Sequence, residues 1–181
     1  VIIQYQEFNE PGWSHDGWIN FTDAVDGWNE PDMEGSIEVT FEEGAILRQK
    51  VAGAMITSTK NIYNPGGISA FEISDARLNS IIDVVLQIRT TGSPVNQDSV
   101  ILNIGEDKYK GTYSEVAKRK TRYGYDAISK FEFDLDGASA NEYLIEFSAS
   151  GPHMSLVSAR VDRQSTASYE LNKDYTANFN E

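Results

Sequence analysis

Apolar and polar residues alternate along most of this chain. Successive side chains of a β-strand point to opposite faces, so a period of two predicts a strand that buries one face. The predicted buried positions are Ile37, Val39 and Phe41; Ile82, Val84, Leu86 and Ile88; Val100, Leu102 and Ile104; Phe131, Phe133 and Leu135; Tyr143, Ile145 and Phe147; and Val157, Ala159 and Val161. The pattern predicts an all-β fold, an antiparallel β-sandwich or jelly roll.

Strong turn sequences separate the predicted strands, because Gly, Pro and Asn favour tight turns. They occupy residues 64–67, 91–94, 136–137 and 150–152. We expect the long strand Ile82–Thr90 to be central and buried on at least one face. A helical turn between Tyr113 and Tyr123 is an alternative to a strand there. Residues 9–35 are rich in Gly, Asp, Asn and Trp, and they predict long loops.

The C-terminal segment carries a strand pattern after the sandwich has enough strands. We therefore divide the chain into a sandwich domain, residues 1–163, and a linker with a C-terminal strand, residues 164–181. The apolar positions of that strand are Tyr169, Leu171, Tyr175 and Phe179, with Ala177 among them. A surplus strand needs partners for its backbone groups and its apolar face. It can pair within its own sheet or with the sheet of another copy.

Charge and composition exclude several partners. The chain has 181 residues, a net charge of −13 and no cysteine. Nucleic acid is not expected as a partner, because phosphate binding needs a basic surface. An anionic membrane is disfavoured for the same reason, and no apolar run approaches the length of a membrane span. An acidic surface suits divalent cations.

No catalytic constellation is present in the sequence. Only two histidines occur, His15 and His153, and neither accompanies a Gly-x-Ser-x-Gly elbow or a zinc-binding motif. Glycosidases use two placed carboxylates, but 28 acidic residues give no basis for choosing a pair. We predict that the protein is not an enzyme.

Three features are candidates for ligand binding. The tryptophans Trp13, Trp18 and Trp28 could stack on sugar rings, or they could plug one end of the sandwich. The acidic loop that contains Asp23, Asp26 and Glu30 could bind calcium through its oxygens, or it could be a solvated loop. The basic run 118–122 could dock an acidic patch of another copy or an anionic glycan, or it could be solvated.

Several segments carry a resemblance to known proteins. They are residues 71–75, 78–90 and 98–102 and the ending 153–162, His-Met-Ser-Leu-Val-Ser-Ala-Arg-Val-Asp. Together they resemble secreted jelly-roll domains of environmental bacteria and, more loosely, jelly-roll carbohydrate-binding modules. The resemblance implies an extracellular or cell-surface protein. It also implies a structural calcium ion that bridges a Glu on the first strand and an Asp on the last, places that Glu7 and Asp162 occupy here.

Two functions of different classes follow. The first is a non-catalytic extracellular structural subunit that assembles with other copies into a filament or surface layer by β-strand addition. The second is a secreted carbohydrate-binding module, with polysaccharide as the partner and the three tryptophans as the glycan site.

Overall fold

The computed structural model describes residues 1–21, 25–26, 37–41, 44–76, 80–135 and 139–165. These residues form fourteen strands and one 3-10 turn, Gln97–Ser99. The strands are β1 (Trp13–Trp18), β2 (Val25–Asp26), β3 (Ile37–Thr40), β4 (Ile46–Gln49), β5 (Met55–Ile56), β6 (Ile62–Tyr63), β7 (Ala70–Asp75), β8 (Ile81–Gly92), β9 (Ile101–Ile104), β10 (Asp107–Lys110), β11 (Thr112–Thr121), β12 (Gly124–Asp134), β13 (Tyr143–Ser148) and β14 (Met154–Ser165).

The strands form two sheets that pack face to face. Sheet A has the order β11-β12-β8-β14-β6-β5, and β1 also pairs with β14. Sheet B has the order β10-β9-β13-β7-β4-β3-β2. The described ladders are all antiparallel, which confirms the predicted antiparallel β-sandwich.

The core lies between the inner faces of the two sheets. Val84, Leu86 and Ile88 of β8 are fully buried, as the alternation predicts, whereas Ile82 differs from its prediction and is only half-buried. Val157 differs from its prediction and is only half-buried, because the β14–β8 register shifts between Leu156 and Ser158. Apolar residues of β7, β9, β12 and β13 complete the core, with Phe71 and Phe147 stacked at a centroid distance of 5.0 Å. Burial of apolar surface is therefore the main force that holds the sheets together.

Two predictions about local structure are wrong, and one alternative that the sequence left open is decided. Trp13–Trp18 is a strand and not part of a long loop; its inward positions include Asp16, and this charged residue hides the alternation. Residues 112–121 form β11 instead of a helical turn, because they complete a hairpin with β12 around Arg122 and Tyr123. The last strand extends through Ser165, two residues beyond the predicted boundary of the sandwich.

Leu86 tests the central position of β8. Replacing Leu86 with Ala should lower the free energy of unfolding by about 2–5 kcal/mol, through lost transfer free energy and the cavity left behind. Ile82→Ala on the same strand is the matched control, since Ile82 is half-buried and lies outside the core. Denaturant unfolding measures both variants. An equal loss for the two would contradict the assigned core face.

Candidate functional site

The two residues predicted to share a calcium ion, Glu7 and Asp162, are both hydrogen-bonded to Arg160. The Arg160 guanidinium donates to both oxygens of Asp162, at 2.9 and 3.0 Å, and to Glu7 Oε1 at 3.0 Å. Asp162 is fully buried, and burial raises the pKa of its carboxyl group while Arg160 opposes that change. The guanidinium supplies a cationic partner to both carboxylates, although its single charge balances only one of them. Calcium at Glu7 and Asp162 stays a prediction.

The other predicted calcium ligands lie mostly outside the described residues. Asp23 and Glu30 do so, and Asp26 is described only as a backbone position of β2. Within the described part of the chain, no group of three or more acidic or histidine side chains is arranged to hold a metal ion. Calcium in the acidic segment 23–34 stays a prediction.

One of the three tryptophans of the predicted glycan site, Trp18, is buried in the core. Trp18 is 1% exposed in the core, and its ring centroid lies 5.7 Å from that of Phe41. Its faces are therefore not available to a sugar. Trp13 is half-buried, with its ring 4.9 Å from Phe8. Trp28 lies outside the described residues, as do the predicted assembly positions Tyr169, Leu171, Tyr175 and Phe179.

A polar cluster is buried at one end of the sandwich. Arg163 of β14 donates to Asp16 of β1, while Tyr143 of β13 pairs across the ladder with Asp75 of β7. All four residues are buried, and burial raises the pKa of the Tyr143 hydroxyl. Opposite charges in a low-dielectric interior attract strongly. The cluster therefore joins residues of both sheets, and Asp75 and Tyr143 also border a cavity of about 720 Å³ on the side of sheet B.

An open cleft of about 660 Å³ lies at the outer edge of sheet A. Its aromatic walls are Tyr63 of β6, His153 before β14 and Tyr123 in the β11–β12 turn. The Tyr63 hydroxyl is 2.9 Å from His153 Nδ1, and the two ring centroids are 6.2 Å apart. Tyr123 is 77% exposed. The remaining lining residues are Thr57, Thr59, Asn61, Thr91, Gly92 and Ser155. The cleft therefore combines ring faces with uncharged hydrogen-bonding groups.

The β5–β6 turn forms one wall of the cleft and is held by its own hydrogen bonds. The Lys60 amide donates to the Thr57 carbonyl at 2.9 Å, and the Asn61 amide donates to Thr57 Oγ1 at 3.1 Å. Lys60 has a φ of 64°, a left-handed conformation that costs a non-glycine residue free energy. The hydrogen bonds offset that cost, and they hold Thr57, Thr59 and Asn61 at the rim.

The opposite wall needs a glycine. Gly92 ends β8 with a φ of 78°, and a Cβ atom there would lie 2.2 Å from the carbonyl oxygen of His153. His153 itself has a φ of 67°. Only a residue without a side chain allows this approach. The close contact of the two backbones fixes the His153 ring beside Tyr63.

A charged triad supports the floor of the cleft. Arg89 of β8 forms two bonds with Asp126 of β12, at 2.9 and 2.8 Å, and Arg119 of β11 adds a third at 2.8 Å. Asp126 is opposite Thr91, one of the cleft residues. The bond to Arg89 is the main cause of the lowered pKa of the Asp126 carboxyl group. The triad ties together three strands next to the cleft.

The edge strand β11 is the second candidate surface. Its ten residues pair only with β12 among the residues that the structure describes. Exposed aromatic rings accompany it: Tyr113 is 39% exposed, and Tyr125 on β12 is 45% exposed. Lys118 lies over the Tyr125 ring, at 4.2 Å from its centroid. The basic run predicted to dock an acidic patch therefore lies along an open sheet edge.

Sequence analysis did not identify the cleft residues. The sequence marks His153 only as one of two histidines and as the start of the segment 153–162, and Tyr63 only as the residue before the turn 64–67. The signal that was available is the position of both residues beside strong turn sequences, where exposed side chains are common. Their meeting depends on the pairing of β6 with β14, which is a long-range contact.

None of the protein-family models matches the chain, and no curated protein matches it. The resemblance to jelly-roll modules stays a prediction. No helix in the described ranges is long and apolar enough to cross a membrane.

Asp126→Asn tests the triad. The folded-state pKa of Asp126 is lowered, so its charged form stabilises the fold above the ordinary Asp pKa of about 3.9 and loses that effect as the pH falls further. We expect the variant to lose about 1–3 kcal/mol of unfolding free energy at neutral pH.

The difference in unfolding free energy between Asp126→Asn and the native chain should become smaller as the pH falls below about 4. Urea unfolding at several pH values measures it. The control is Asp98→Asn, where an exposed Asp pairs with Lys110 at 2.7 Å, and unfolding should not change measurably. The same cost at all pH values would indicate that the Asp126 charge is not responsible.

Proposed function

We propose that this protein is a non-catalytic carbohydrate-binding β-sandwich that takes a neutral sugar in the Tyr63–His153–Tyr123 cleft. The observation that carries the proposal is the pairing of exposed aromatic rings with a lining of hydroxyl and amide groups. Sugars present C–H groups that pack on aromatic faces and hydroxyl groups that form hydrogen bonds. The cleft offers partners for both.

The absence of carboxylates from the cleft supports a neutral ligand and a binding role. None of its described lining residues is Asp, Glu, Lys or Arg. A glycosidase needs two carboxyl groups at the scissile bond, and an anionic sugar would favour Lys or Arg. The proposal keeps the carbohydrate-binding function predicted from the sequence but moves it away from the tryptophans. An extracellular location belongs to the same proposal.

Affinity measurements against soluble neutral polysaccharides and an anionic one test this function. Tyr123→Ala should weaken binding of the best neutral ligand by about three- to tenfold, because it removes a stacking face. Tyr63→Phe keeps the ring but loses the bond to His153, and we expect a smaller decrease. Tyr113→Ala is the control, since it removes an exposed tyrosine outside the cleft and should leave affinity unchanged.

The proposed function is wrong if no neutral polysaccharide binds the folded protein. It is also wrong if the Tyr113 variant loses as much affinity as the Tyr123 variant. Preferred binding of the anionic polysaccharide would instead point to the basic run 118–122.

A second function, self-assembly through the C-terminal segment, is supported by a different observation. The described residues include an open edge strand of ten residues, β11, which is long enough to receive an added strand. Strand addition at such an edge joins copies head to tail, and repetition of that contact builds a filament. We propose a structural role in a filament or surface layer as the alternative.

A further inference from the structure

We infer that the open edge of β11 is the acceptor for residues 169–179 of a second copy of this chain. The inference rests on the assembly function proposed above, and it names the surface that receives the segment. Three properties of the edge support it: its length, its charge and its composition.

The length of β11 matches the segment. β11 has ten residues, whereas the other described edge strands are shorter: β5 and β2 have two each, β10 has four and β1 has six. The alternating pattern at 169–179 spans eleven positions, with Lys173 interrupting its apolar face. An added strand gains main-chain hydrogen bonds in proportion to the length of the edge. β11 therefore offers the segment more bonds than any other described edge.

The charges of the two surfaces are complementary. Lys118 and Lys120 are exposed on β11, and Arg122 follows in the turn, whereas Arg119 is paired with Asp126. The segment carries Glu170 and Asp174 against the single Lys173. On a protein with a net charge of −13, two copies otherwise repel each other. Contact between the basic edge and the acidic segment offsets that repulsion and orients the encounter.

The composition of the edge is that of a protein interface. Tyr113, Tyr123 and Tyr125 are exposed on the β11–β12 hairpin, and Arg122 lies 5.5 Å from the Tyr123 ring centroid. Tyrosine and arginine are enriched in interfaces because they bury large area with few rotatable bonds or form several hydrogen bonds. Lysine on an open edge also discourages indiscriminate pairing. A strand with acidic residues can pair with these lysines, so the edge favours an acidic partner strand over others.

Geometry favours a second copy over the same chain. The segment leaves β14 at Ser165, and β8, β12 and β11 lie between it and the open edge. At about 4.8 Å per strand, the added position is about 19 Å from β14. The four residue steps from Ser165 to Tyr169 span at most about 14 Å. Tyr169 therefore cannot reach the edge of its own β11, whereas a neighbouring copy can present its edge.

Sedimentation velocity of the full chain over a wide concentration range tests the inference. We expect the native chain to self-associate and deletion of residues 166–181 to abolish association. K118E/K120E should weaken association at least about tenfold, since like charges then face each other. K108E/K110E on β10 is the matched control, with the same change of charge on another edge, and should associate like the native chain. E170K/D174K combined with K118E/K120E should restore association.

The outcomes separate the inference from the assembly function. Association that survives the deletion overturns assembly through the segment and the inference with it. A full chain that stays monomeric also overturns both the assembly function and the inference. That result is expected if the segment pairs with β1 of its own chain. Association that is lost on deletion but unchanged in K118E/K120E, or weakened equally by K108E/K110E, overturns only the assignment to β11.

Discussion

The buried guanidinium of Arg160 is the constraint on which the outer face of sheet A depends. An unpaired charge in that position would be costly, so Arg160 needs both Asp162 on its own strand and Glu7 from the N-terminal segment. In the same segment, the backbone of Gln6 forms two hydrogen bonds with the Gln87 side chain, at 2.8 and 2.9 Å. These contacts hold the chain start across β8 and β14. The N-terminal segment thereby covers the outer face of β8 and β14 around these residues, which explains why Gln87 and Asp162 are fully buried although they point away from the core.

The sequence was sufficient for the inner face of the sandwich but not for its outer face. Alternation identified Val84, Leu86 and Ile88 because burial between two sheets follows a period of two. It could not identify Arg160 or Gln87 as buried, since polar residues at alternate positions normally face solvent. Asp16 on β1 was missed for the same reason. Each of these polar residues is buried with a partner from a distant part of the chain, and such pairs have no local signal.

The candidate sites also divide into one with a local sequence signal and one that depends on long-range contacts. The basic run 118–122 is visible in the sequence as a cluster of like charges, and the structure places most of it along one strand. The cleft is assembled from three turns that are separated by long stretches of chain, so its rings come together only through the pairing of β6, β14, β8 and β12. The prediction of a tryptophan site failed at Trp18 because residue type alone does not distinguish a ring that binds ligand from a ring that fills the core.

The two proposed surfaces share one hairpin. Tyr123, at the tip of the β11–β12 hairpin, lines the cleft, and β11 forms the open edge. Asp126 joins them, since it binds Arg119 on β11 and Arg89 on β8 beside the cleft floor. A strand added to β11 would restrict the motion of the hairpin that carries Tyr123. Asp126 is therefore the described residue that links the open edge strand to the strand beneath the cleft, and the order of both surfaces depends on the same buried carboxylate.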